Sequence, residues 1–411
     1  MRRLALGLVA GLMFTAPARA QDPVEYLLDG TDKKRGHFLG QLLLRPQASG
    51  ALRVVQRATF LELGTEVLEA DGKRTGTELR VEFPSGAGLT GGIAGSGAPD
   101  PLRLRVRFAD EDETAKASTR RGNEPVSSAY GHRVTAPLGR GFPDAAARPA
   151  PESAGHTYAA FKGVPFIKGE GDAHAVAMND ISQGSLGDCY FMAGLAAVAR
   201  SQPERIQAMI EDHGDGSYTV FMWVHNDQWA EEVPGPDGTY DYLLSARSVR
   251  VDSFFPAGYG GSSPSYAEFG DSEVVGTEKR HELWPAIFEK AFAQLKGSYG
   301  KVGEGGFAST PQSFFSSEQV EDWDPAELTP DEVRDILQEG EREKRPMTLG
   351  VPEGKENPSL NLYAPHYYAF WGFDADGNVL LYNPWGSSHP PRGLTMEEVT
   401  KIFDSIHVGP K

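Results

Sequence analysis

This chain of 411 residues holds a single cysteine, Cys189, so it can form no internal disulfide. No segment reaches the roughly 18 consecutive apolar residues that a membrane helix requires. Positive charge is in deficit: 40 Lys and Arg stand against 57 Asp and Glu, a net charge of −17. That balance argues against nucleic acids and anionic membranes as partners and serves solubility. No repeat of fixed period is present. What remains is a 39% hydrophobic fraction, enough to build real cores.

The N-terminus predicts export. Arg2 and Arg3 precede a short apolar stretch over residues 4–14, and Ala18-Arg19-Ala20 forms a small-x-small cleavage site before Gln21. The reading is a signal peptide over 1–20 and a soluble protein outside the cytoplasm, secreted or periplasmic. No cysteine follows the cleavage site, which argues against a lipid anchor.

Beyond it, roughly 390 residues suit two or three domains of about 100–200 residues. Residues 22–110 read as a β-rich domain. Leu79, Val81 and Phe83 alternate with Arg80 and Glu82, and Leu102, Leu104, Val106 and Phe108 alternate with Arg103, Arg105 and Arg107. Period two marks half-buried strands. Residues 111–156 are polar and rich in Ala, Arg, Gly and Pro, which predicts a flexible linker. Residues 157–411 are denser in aromatic and aliphatic side chains. They predict an α+β unit, with a helix over 190–200, a strand over 217–223 and a helix over 281–296. A proline-started, capped helix follows from Thr329 to about 344, and strands over 366–373 and 379–383 form a hairpin.

Cys189 stands where the loop Gln183-Gly184-Ser185-Leu186-Gly187-Asp188 runs into an Ala-rich helix. A lone cysteine is ordinarily a buried structural residue. A helix N-terminus favours a thiolate, however, and a nucleophile needs a base and a group to orient it. The hairpin supplies both, since folding about 374–378 brings His366 and Asn383 to one end. Gln183 and the Cys189 backbone N–H are candidate oxyanion donors. Cys189 is thus the candidate nucleophile, His366 the base and acid, and Asn383 the orienter. Two alternatives stand beside this. One is a degenerate peptide-binding module, against which the intact Gln–Cys–His–Asn set argues. The other is a transglutaminase-like acyltransferase, which would usually orient histidine with aspartate.

The set resembles the calpain family of cysteine proteases. Gln183-Gly184-Ser185-Leu186-Gly187-Asp188-Cys189-Tyr190 looks like the calpain active-site signature, with Tyr190 and Phe191 where Trp and Leu are common. Asn383-Pro384-Trp385-Gly386 matches the asparagine motif. Pro365-His366 stands where calpains carry Gly-His, and Glu282-Leu283-Trp284-Pro285 opens a segment similar to the helix between the two halves of the calpain core. The resemblance covers about 164–408. It implies a papain-like fold of two lobes, an α+β protease core preceded by the small β-rich domain, acting on protein or peptide substrates. It further implies that Trp385 shields the His366–Asn383 hydrogen bond and, with Gly305 and Gly306, contacts substrate, and that Asp180 and Glu282 belong to one calcium site. A second calcium site is missing, because residues 387–392 are too short. No calpain module resembles residues 22–110. An inhibitory prosegment, an accessory binding domain and a secretion adaptor all remain open, as does the oligomeric state.

Overall fold

The structure is a computed structural model. Its described residues are 23–34, 36–47, 49–60, 64–83, 101–109, 114–121, 124–134, 148–225, 244–258, 261, 263–316 and 318–411. The signal peptide expected over 1–20 lies outside them.

The first eight strands are β1 Val24–Asp32, β2 Gly36–Pro46, β3 Leu52–Phe60, β4 Gly64–Thr75, β5 Glu78–Phe83, β6 Leu102–Ala109, β7 Thr114–Arg121 and β8 Glu124–Arg133. Each pairs antiparallel with the next, and β1 pairs with β8, closing a barrel. The period-two readings hold: β6 alternates strictly between buried and exposed residues. Leu79, Val81, Phe83, Leu104 and Val106 fill the interior, while Arg103 and Arg107 face out to Glu82 and Glu78 at 3.0 and 3.8 Å. Closure leaves no free strand edge.

The linker expected over 111–156 is a correction. Its first part is β7 and β8, which complete the barrel. Its last part packs on the next unit. Arg148 Nη2 lies 2.7 Å from Asp252, which also accepts from the buried Lys290, and Tyr266 Oη accepts the Glu152 N–H at 2.7 Å. Burial pushes Lys290 down to about 8. Residues 135–147 lie outside the described residues.

The second unit has two lobes. The first holds α1 Cys189–Ser201, α2 Pro203–Ala208 and α3 Trp284–Lys296, with α4 Tyr299–Gly303 and α5 Ser309–Ser313. Its strands are β9 Thr157–Ala160, β10 Gly163–Val164, β11 Ile210–Asp212, β12 Ser217–His225, β13 Leu244–Asp252, β14 Phe254–Ala257, β15 Ser272–Val275 and β16 Glu278–Glu282. The helix expected over 281–296 begins only at Trp284, because residues 278–282 pair with β15 and β10. Pro285 sits in its first turn and Gly297, at φ +94°, ends it. Helix α1 is buried on every side from Tyr190 to Ala199. Its small residues permit that: a Cβ at Gly194 would lie 2.2 Å from Pro311 of α5. Phe191 stacks on Phe292 of α3 with centroids 4.6 Å apart, a contact worth about 0.5–1.5 kcal/mol beyond area burial.

The second lobe is a five-stranded sheet in the order β17–β21–β18–β19–β20, from β17 Glu321–Trp323, β18 Met347–Val351, β19 His366–Phe373, β20 Val379–Tyr382 and β21 Ser405–Val408. Helices α6 Pro330–Arg342 and α7 Met396–Ile402 cover it, each opened by the capping box its sequence signals. The lobes meet where α1 packs on β19.

Candidate active site

The hairpin of β19 and β20 positions the candidate base, His366. Ala369 pairs with Tyr382, so Asn383 falls opposite Tyr368, and His366 lies two residues away on the same face. His366 Nε2 is 3.0 Å from Asn383 Oδ1. Two further bonds fix the carboxamide: Trp385 N–H donates to Oδ1 at 3.1 Å, and Nδ2 donates to the Ser388 carbonyl at 3.2 Å. An oxygen faces His366, so Nε2 carries the proton and Nδ1 keeps its lone pair. Trp385 covers the imidazole with centroids 4.7 Å apart, and Tyr368 meets it edge-on at 4.9 Å. Burial pushes His366 below its ordinary range, against the Asn383 hydrogen bond.

Cys189 is the first residue of α1. The backbone of Tyr367, the residue after His366, lies near enough to the thiol to lower its pKa, so the candidate nucleophile sits within one residue of the candidate base. The helix-start argument for a thiolate is corrected. Burial pushes the thiol up to about 11, the adjacent Asp188 charge adds to this, and the backbone donors only partly offset both.

The loop before Cys189 is stitched to the second lobe. Gln183 N–H donates to the Pro384 carbonyl at 2.8 Å, and Tyr382 Oη donates to the Ile181 carbonyl at 2.7 Å. The Gln183 carboxamide donates to the Leu186 carbonyl at 2.6 Å and lies against the Asp188 carboxyl. One of its two N–H donors is therefore committed within the loop.

Sequence reasoning missed the pair behind the nucleophile. Asp188 and Glu289 of α3 are buried against each other, and Glu289 also accepts the Ala267 N–H at 2.9 Å. No ion pair to either carboxyl occurs among the described residues. Burial raises both, and the charge of Asp188 raises Glu289 further.

Gly305 and Gly306 wall a cleft beside the nucleophile. A Cβ at Gly306 would lie 2.6 Å from the Tyr190 ring, so only glycine lets the chain pass there. Trp385 lies over His366 instead, and no described residue of the barrel lines this cleft.

The cation pair expected at Asp180 and Glu282 is redrawn. Glu282 ends β16 rather than opening a helix, and its two oxygens accept the Ile167 and Asp271 N–H groups at 2.8 and 3.0 Å. Asp180 is instead grouped with Asp172 and Asp271, one oxygen from each lying within 4.8 Å of the others. Asp271 Oδ2 is buried without a hydrogen-bond partner, and a Cβ at Gly169 would lie 1.8 Å from it. Burial and neighbouring carboxylates raise Asp180 to about 7 and Glu282 to about 8. A close oxygen set with an orphaned carboxylate oxygen fits a hard divalent cation. Asp172 and Asp271 carry no local sequence signal for this, since they lie far apart in the chain.

Comparison with known proteins places this geometry in context. Residues 171–234 match the profile described as calpain family cysteine protease. The chain is 25% identical over 251 residues to Calpain-9 of Rattus norvegicus, covering 54% of this chain and 32% of the rat protein. It is 27% identical over 227 residues to the calpain-type cysteine protease DEK1 of Zea mays, covering 52% of this chain and 9% of that protein. To the calpain-type cysteine protease ADL1 of Oryza sativa subsp. japonica it is 32% identical over 135 residues, 32% of this chain and 5% of the rice protein. The match thus spans a third or less of these relatives' length. The resemblance to the calpain family stands, and with it a papain-like protease core.

Proposed function

We propose that the chain is an exported cysteine endopeptidase that hydrolyses peptide bonds through Cys189, His366 and Asn383. The observation that carries this reading is the fixed His366–Asn383 hydrogen bond. It leaves Nδ1 of His366 as the basic nitrogen, while Cys189 lies near the backbone of the next residue, Tyr367.

The chemistry follows from that arrangement. Nδ1 takes the Cys189 proton as Sγ attacks the substrate carbonyl carbon. The resulting oxyanion draws on the Cys189 N–H and, once its carboxamide turns outward, on Gln183. Collapse expels the amine, which takes the proton from Nδ1, and leaves a thioester. Nδ1 then deprotonates a water that attacks the thioester, and the proton returns to the departing thiolate. Asn383 holds the ring without neutralising the imidazolium formed in passing. Trp385 keeps water from that bond.

A calcium ion at Asp180, Asp172 and Asp271, with Glu282 alongside, belongs to the same proposal. When bound it would supply positive charge that offsets these carboxylates. The chain's own contribution is to fix residues 177–183, because Asp180 Oδ2 accepts from Ala177 N–H and Trp284 Nε1 at 2.7 and 3.0 Å.

The test is casein cleavage by the chain purified from an exporting host, wild type against Cys189→Ala. Cleavage that persists in Cys189→Ala overturns the nucleophile. A purified N-terminus other than Gln21 counts against the signal peptide.

A further inference from the structure

The cleft beside Cys189 has a volume of about 690 Å³, the size of a substrate subsite rather than a surface dimple. Tyr190 and Tyr367, the residues after the nucleophile and the base, line it. Three carboxylates, Asp322, Asp324 and Asp404, share the lining. Each is oriented through one oxygen. Asp322 is 2.5 Å from His407 Nδ1, Asp324 caps the Ala326 N–H at 2.9 Å, and Asp404 accepts the Ser405 hydroxyl at 3.0 Å. Lys296 also lines the cleft, with its head 5.7 Å from the centre of the Phe292 ring and Glu304 acting on its charge. Two large aromatic side chains stand in solvent at the mouth, Phe307 at 67% and Trp323 at 38% exposure. A monomer gains nothing from such exposure, whereas a long cationic side chain uses both features. Its methylene stem covers the rings, its head lies against an aromatic face, and its charge meets fixed carboxylates.

We infer that this cleft is a specificity subsite for a basic residue, Arg or Lys, close to the scissile bond of a polypeptide substrate. The inference rests on the peptidase reading above. Asp324 and Asp404 are its specificity-determining residues, and Phe307 and Trp323 hold the stem. A leucine side chain would bury well on the rings but leave the carboxylates uncompensated.

The test uses the full chain and a proteome-derived peptide library, with cleavage sites read by mass spectrometry. Arg and Lys should be enriched at one position within about three residues of the cut. Matched peptides should show a kcat/KM ratio for Arg over Leu that falls about tenfold or more in Asp324→Asn/Asp404→Asn. Asparagine still caps a helix, so this variant retains the local fold. A library cut without basic enrichment, or a ratio unchanged in the variant, overturns the subsite and leaves the peptidase standing. If no peptide is cut, the peptidase reading fails and binding decides the subsite. Fluorescence anisotropy of Arg and Leu peptides on Cys189→Ala should then favour Arg, and equal binding overturns the inference.

Discussion

Gln41, on the barrel, donates its side-chain amide to the carbonyl of Ala208 at the end of α2, a buried bond of 3.2 Å. Around it the barrel and the protease core share one interior. Leu27, Leu39 and Val134 belong to the same apolar cluster as α1, and Arg57 lies 3.4 Å from Glu211. Strand β1 is buried on both faces here, with Leu28 inside the barrel and Leu27 against the core. Between them Glu25 is buried and raised to about 8.

Removing the barrel should therefore expose the surface that Leu27 and Leu39 cover. A chain starting at Thr157 also loses Arg148, one of two cations on the buried Asp252, and leaves Lys290 to balance it alone. That chain should aggregate or unfold at markedly lower denaturant, and the full chain should unfold in one transition. A soluble, active fragment from Thr157 would show that the interface is dispensable.

The thiol of Cys189 is raised to about 11 by burial. Iodoacetamide should label the substrate-free chain at pH 7 more slowly than an exposed thiol of pKa about 8.5, with a rate that climbs toward pH 11. Fast labelling that is already flat at pH 6 would mean the thiolate–imidazolium pair exists at rest.

Asp188 and Glu289 give a stability signature. Both are raised by burial, so the folded state binds more protons than the unfolded one above their ordinary carboxylate range. Their stabilising contribution is complete at pH below about 4 and is lost as pH rises through neutrality. Glu289→Gln keeps an amide donor toward Asp188 and an oxygen for the Ala267 N–H. Between pH 5 and 8 its urea midpoint should fall less steeply than that of wild type. Parallel slopes would show that the pair holds no shared proton.

The nucleophile loop and the hairpin were legible because each motif is local. Residues 183–191 are contiguous, and the 374–378 turn brings His366 and Asn383 to one end, although a bulge between Phe370 and Gly372 is what puts them on one face. Strands β5 and β6 were legible because large apolar residues alternate with arginine and glutamate. Strands β7 and β8 were not. Their inward residues, Ala115, Ala117 and Ala129, are small because they face large neighbours, as Ala115 pairs with Phe108. A strand buried through alanine looks polar to any pattern of hydrophobicity. Glu289 joins Asp188, and Asp271 joins Asp172 and Asp180, from 91 to 101 positions away, and only the fold brings them together.

The carboxylates around Asp180 yield the last prediction. Asp172, Asp180 and Asp271 repel one another in the absence of a cation, and their neighbour Glu282 is raised to about 8 by burial and by Asp180. A divalent cation should offset that repulsion and stabilise the folded chain by mass action, by about 2.7 kcal/mol at a hundredfold excess over Kd. Calcium at about millimolar, a range in which extracellular modules are commonly filled, should raise Tm, while magnesium, which prefers near-ideal octahedral geometry, should do less. Asp271→Asn removes the charge beside the orphaned oxygen and should abolish the calcium-dependent shift. Without calcium it should raise Tm slightly, because one repelling charge is gone. A Tm identical with calcium and with chelator would mean that these carboxylates hold no cation, and that their grouping serves only the backbone N–H groups they accept from.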